Sequence, residues 1–154
     1  MKLIQNIKFS NDLELLKLEN EGNKYFANFY GNVSAGFPSP AEDFQGTRIS
    51  LDERYLSKPE STFITRVGGL SMFPFYQLND VLINRTDIEL QHGDDAVVSI
   101  NNGDFTLKRW DAHKNMFTAL NEKYKESFIV TDNDVVVSLG IVVAIVREIK
   151  NLKL

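Results

Sequence analysis

Ala96-Val-Val-Ser-Ile-Asn-Asn-Gly-Asp-Phe-Thr-Leu-Lys-Arg-Trp110 reads as two strands joined by a tight turn. β-Branched residues dominate its first third, and branched and aromatic residues recur after Asp104, a composition suited to a pleated, half-buried surface. Between the two runs, Asn101-Asn-Gly-Asp104 supplies residues that tolerate positive φ, a strong hairpin signal. Upstream, Thr62-Phe-Ile-Thr-Arg-Val67 and Val81-Leu-Ile-Asn84 have the same texture. Downstream, Val135-Val-Val137 and Ile141-Val-Val-Ala-Ile-Val146 supply the final strands, with Gly140 marking a bend between them. Helical periodicity is weak outside a turn at Leu51–Leu56. The fold expected is mainly β.

The 154 residues suit one domain able to bury a sizeable core. Hydrophobic residues make up 43% and charged residues 25%, which is globular rather than disordered composition. A net charge of −4, without any Lys/Arg run, argues against direct binding to a nucleic-acid backbone. No cysteine is present, so disulfides, thiol catalysis and cysteine-bound metals are excluded, in keeping with a reducing cytoplasm. The N-terminus lacks the apolar core of a secretory signal. The longest apolar run, Leu139–Val146, is too short to span a bilayer, so a soluble protein is expected.

The first 35 residues differ from the remainder. Leu13, Leu15, Leu16 and Leu18 lie among charges, and Gly22, Asn23, Gly31 and Asn32 interrupt any regular element. Pro38 and Pro40 favour extended backbone and remove donors, as suits an exposed tether. Residues 1–45 therefore read as an appendage preceding the β-rich part.

Three stretches together suggest one reaction: Ala35-Gly36 within Ser34-Ala-Gly-Phe-Pro-Ser-Pro40, Ser71-Met72, and Lys108 within Phe105–Arg109. Serine needs a neighbouring base to become a nucleophile. A lysine amine serves once burial or its surroundings lower its pKa from the free value of about 10.4. Strand alternation puts Lys108 on one face with Thr106 and Trp110, and Phe105 and Leu107 on the other. Gly68-Gly69 before Ser71 and Pro74 after it shape a sharp turn whose backbone N–H groups suit a developing oxyanion. The bland alternatives are a turn serine and a lysine whose stem packs while its ammonium reaches water. His92 and His113 lie in polar turns, away from any serine motif and without acids at metal-ligand spacing, so neither a Ser-His-Asp triad nor a metal site is favoured.

These residues resemble the LexA/UmuD family of self-cleaving serine peptidases, most closely its UmuD and MucA branch. The anchors are Ala35-Gly-Phe-Pro-Ser-Pro-Ala-Glu-Asp43, Gly69-Leu-Ser-Met72 and Phe105-Thr-Leu-Lys-Arg109. Asn79-Asp-Val-Leu-Ile83, Gln91-His-Gly-Asp94 and Gly140-Ile-Val-Val143 add to them, in the family's order, over roughly residues 34–149. The chain departs from the family in carrying Leu70 before the serine and in a segment Ser71–Asp80 one residue shorter than in UmuD.

The resemblance implies a LexA/UmuD-like β-rich peptidase domain over residues 36–154 and an N-terminal arm, residues 1–35, removed by self-cleavage at Ala35–Gly36. It implies Ser71 as nucleophile, Lys108 as general base, and the backbone N–H groups of Leu70 and Ser71 as the oxyanion hole, with no metal or cofactor. It further implies stimulation by a RecA filament on single-stranded DNA in the SOS response, homodimerisation of the product, and docking to a UmuC-like error-prone polymerase subunit. Only 35 residues precede the bond, a short arm unsuited to a repressor's helix-turn-helix, so sequence-specific DNA binding is not expected. The competing reading is a non-catalytic docking module of the same fold.

Overall fold

The hairpin read from Ala96–Trp110 forms the middle of a large sheet. The computed structural model describes residues 7–16, 27–28, 48–124 and 126–150. It contains two compact units, one joining Met1–Leu18 to Pro59–Leu154 and one comprising Glu19–Lys58. In the smaller unit, strands β2 (Ala27–Asn28) and β3 (Arg48–Ile49) pair antiparallel and precede a short helix α1 (Leu51–Tyr55). Ser50 caps that helix, its Oγ accepting the Glu53 N–H, as expected for serine at an N-cap.

The larger unit carries the other strands: β1 (Leu13–Leu16), β4 (Thr62–Val67), β5 (Val81–Arg85), β6 (Asp95–Ile100), β7 (Thr106–Asp111), β8 (Met116–Thr118), β9 (Ser127–Ile129) and β10 (Val136–Val146). They form one sheet in the order β1-β4-β5-β10-β6-β7-β8-β9, antiparallel at every pairing. The mainly β expectation holds. Asn101 and Asn102 both take positive φ, 52° and 61°, in the β6–β7 turn. Asn101 also holds the start of β10, exchanging hydrogen bonds with Val135 and Asp134.

Two differences from the sequence reading have clear causes. Val135–Val137 and Ile141–Val146 are not separate strands; β10 runs unbroken through Gly140. Register shifts near Gly140 and after Val142 absorb the irregularity as bulges. Gly140 is needed for close approach: a Cβ there would stand 2.7 Å from Phe63 Cε1 and 3.0 Å from the Arg85 carbonyl. The second difference is β1. Part of the segment read as an appendage is an edge strand paired with β4, Leu13 opposite Val67 and Leu16 opposite Ile64.

Alternation across the sheet separates two apolar clusters. Leu13, Phe63, Met72, Val97 and Leu107 pack in one; Ala96, Val98, Phe117 and Ile141 form the other, with the Trp110 ring tilted against Phe117 at 4.5 Å between centroids. Met72 thus plugs the segment after β4 into the same cluster as Leu107 of β7, fixing the neighbours of both Ser71 and Lys108. No helix among the described residues is long and apolar enough to cross a membrane.

Candidate active site

Ser71 lies in the turn-rich segment between β4 and β5, and its residue is only 8% exposed. The two glycines before it serve close packing. A Cβ at Gly68 would meet the Asn11 carbonyl at 2.9 Å and one at Gly69 would meet Asp12 Cβ at 2.8 Å, while Gly68 N–H donates to Asp12 O. Side chains there would push the residues before β1 away. Within the segment, Phe73 N–H donates to Leu70 O and Tyr76 N–H to Met72 O, and the Phe73–Pro74 bond is cis.

The end of this segment is braced by Asp80. Its buried carboxylate accepts Gln77 N–H and two short bonds of 2.6 Å from Arg147 Nε and Nη2, while Arg147 also donates to Phe75 O. Burial alone would raise the Asp80 pKa, but the Arg147 and Gln77 donors outweigh it and hold the carboxyl below its ordinary range. A depressed folded-state pKa contributes stability at pH values above the unfolded value of about 3.9, and that contribution disappears as pH falls through the folded value. Asp80→Asn is therefore expected to melt below the wild type at pH 7, with the gap narrowing below about pH 4. Thermal scans across pH check this; a gap independent of pH would show that the Asp80 charge is not what stabilises the loop.

Lys108 sits in mid-β7, 8% exposed. Its Nζ donates to Thr106 Oγ1 and to Leu107 O, both at 3.1 Å, and lies 3.5 Å from Glu126 Oε2. Thr106 and Lys108 do share a face, as alternation requires, while Leu107 enters the core. Among the described residues no hydrogen bond joins Ser71 to Lys108. What brings their surroundings together is the loop between β8 and β9. Asn121 N–H donates to Ser71 O and Asn121 Nδ2 to Leu70 O, while Glu126 of the same loop reaches Lys108. Both carbonyls flanking the Ser71 nitrogen are thereby engaged. Among the described residues, the N–H groups of Leu70 and Ser71 are not donated to any other group.

Sequence reasoning missed Asn121 and Glu126, because their role depends on a loop folding back over residues distant in the chain. The local signal for Asn121 is a polar side chain directly after the apolar pair Ala119-Leu120. A cleft of about 600 Å³ is lined by Leu70, the residue before Ser71, together with Phe73, Phe75, Leu120, Asn121 and Tyr124. Ala35 and Gly36 lie outside the described residues. His92 is elsewhere, accepting Ala112 N–H and in tilted ring contact with His113 at 4.3 Å between centroids. No group of three metal-ligating side chains occurs among the described residues.

The antiparallel sheet thus carries a buried serine and a buried lysine, both contacted by the segment between β8 and β9. Residues 28–143 match the family described as Peptidase S24-like, and the chain belongs to that family. It is 38% identical over 82 residues to Protein ImpA of Salmonella typhimurium, 53% of this chain and 56% of that one, so it spans about half the length of that relative. Protein MucA of Escherichia coli is 32% identical over 112 residues, covering 71% of this chain and 76% of MucA. The LexA repressor of Acidithiobacillus ferrooxidans is 34% identical over 122 residues, 76% of this chain and 58% of the repressor. The resemblance to the LexA/UmuD family, MucA branch included, is borne out.

Proposed function

We propose that the protein is a self-cleaving serine peptidase that acts in SOS mutagenesis. Ser71 Oγ attacks the Ala35 carbonyl carbon as the neutral Lys108 amine takes the serine proton. The oxyanion is held by the Leu70 and Ser71 N–H groups. Collapse breaks the Ala35–Gly36 bond, Lys108 returns the proton to the Gly36 nitrogen, and water then releases the acyl group from Ser71. With the arm lying against its own or a partner subunit's active site, proximity replaces bimolecular encounter and a modestly activated dyad suffices. The observation that carries this reading is that the segment between β8 and β9 holds the Ser71 carbonyl and reaches Lys108 Nζ.

Residues 1–35 are, in this reading, the arm removed, and residues 36–154 the product. The product forms a homodimer in the cytoplasm and docks to a UmuC-like error-prone polymerase subunit, and a RecA–single-stranded DNA filament stimulates the cut. The alternative, a silent docking module, is favoured by one observation: no hydrogen bond joins Ser71 to Lys108 among the described residues. Such bonds, however, often tighten only once substrate is in place.

Intact-mass measurement after incubation at pH 7.5 and pH 10, beside Ser71→Ala, tests the proposal. The expected result is a species beginning at Gly36, formed faster at pH 10 and absent from the variant. Full-length mass at both pH values, and again with RecA, single-stranded DNA and nucleotide, would favour the docking module.

A further inference from the structure

We propose that Asp12 is a positioning residue for Lys108, acting through Thr106. The inference rests on the Ser71–Lys108 reading above and extends it to a residue outside the family match of 28–143.

Three contacts form a chain. Thr106 Oγ1 lies 2.6 Å from Asp12 Oδ2, and Lys108 Nζ lies 3.1 Å from Thr106 Oγ1. An ionised carboxylate only accepts, so the single hydroxyl proton of Thr106 points to Asp12 and its lone pairs face the lysine. Lys108 must then donate to Thr106, as it does to Leu107 O. A neutral amine has two N–H bonds and one lone pair. With both N–H bonds committed, the lone pair is turned away from β7 and free to accept the serine proton. Without an acceptor at Asp12 the Thr106 hydroxyl turns, competes as a donor for that lone pair, and disarms the base.

The seat of Asp12 is built for this task. Its carbonyl accepts Gly68 N–H at 2.8 Å, its Cβ fits against the bare Gly69 two residues before Ser71, and Leu13 pairs with Val67 and packs beside Met72 and Leu107. Ser10 N–H donates to Phe105 O, tying the same segment to the residue before Thr106. Among the described residues, Asp12 Oδ1 is buried without a hydrogen-bond partner, so Thr106 is the side chain that engages this carboxylate. Among the described residues, the charged groups in contact with the amine are Asp12, through Thr106, and Glu126 at 3.5 Å.

The test labels Ser71 in the full chain with a fluorophosphonate. Serine oxygen bonds to phosphorus, fluoride leaves, and Lys108 takes the hydroxyl proton, so the rate reads the dyad without docking of the arm. Asp12→Ala is expected to slow both labelling and self-cleavage about 10- to 100-fold, the usual cost of a misaligned catalytic group. Asp12→Asn, which keeps an acceptor, recovers most of that loss. Thr106→Val, which leaves Asp12 and β1 intact, slows labelling like Asp12→Ala, and the double variant is no slower than either. Equal labelling of wild type, Asp12→Ala and Thr106→Val overturns the inference, as does Asp12→Asn being as slow as Asp12→Ala. Absence of labelling at Ser71 in the wild type overturns this inference and the peptidase reading together.

Discussion

Asp95→Ala lowers the unfolding free energy by about 3 kcal/mol or more, the scale for breaking a buried, hydrogen-bonded charge pair. Asp95 opens β6 directly opposite Arg109 of β7, and its carboxylate receives two parallel bonds, Arg109 Nε at 2.8 Å and Nη2 at 2.9 Å. Tyr76 adds a third, its hydroxyl donating at 2.5 Å. These bonds hold the Arg109 pKa above its ordinary value. Burial, reinforced by Asp95, pushes the Tyr76 phenol well above its own, so that it stays a neutral donor. Alanine leaves a half-buried guanidinium and a buried phenol without their acceptor, and the lost partner costs more than the pair contributes. Tyr76 belongs to the segment that carries Ser71, and Arg109 lies 5.4 Å from the Phe75 ring centroid, so the same substitution loosens that segment from the sheet. Urea denaturation of wild type, Asp95→Ala and Asp95→Asn measures the effect, with asparagine losing less because it still accepts. A loss below about 1 kcal/mol for alanine would mean that water replaces the carboxylate at no great cost.

The sheet interior was legible because its strands are long and rich in β-branched residues: Thr62–Val67 coincides with β4, and the Asn101-Asn-Gly turn adopts the positive φ its residues permit. Other elements leave a weaker trace. β1 has four residues with Glu14 among its leucines, and β8 and β9 have three each, too short for alternation to declare itself. They exist because neighbouring edges offer pairing, which is a property of the assembled sheet. Gly68-Gly69 was recognisable as special but for an incomplete reason; the sequence suggests a bend, whereas the glycines make room for Asn11 and Asp12. Ser71 and Lys108 stood out by residue type and by resemblance, yet the contacts that surround them come from positions 12, 106, 121 and 126, joined only by folding.

Lys108→Ala is expected to reduce self-cleavage by about 10³-fold, within the range general-base catalysis contributes, while leaving a folded protein. Folding should survive because the loss falls on groups with other recourse: Glu126 is largely exposed, and Thr106 keeps its bond to Asp12. Alanine alone does not separate lost chemistry from lost packing, and Lys108→Arg does. Arginine keeps a long stem and a positive charge for Glu126, yet its guanidinium remains protonated at every pH a protein tolerates and has no lone pair to offer a serine. The two variants therefore divide the hypotheses. If Lys108 is the base, both are inactive at pH 7.5 and pH 10 by the rate of appearance of the species beginning at Gly36, and raising the pH rescues neither. If Lys108 only supplies charge and packing, arginine restores cleavage and alanine does not. If both variants cleave as the wild type does, the base lies elsewhere, and the loop that reaches Lys108 from the Ser71 carbonyl braces the fold without serving a reaction.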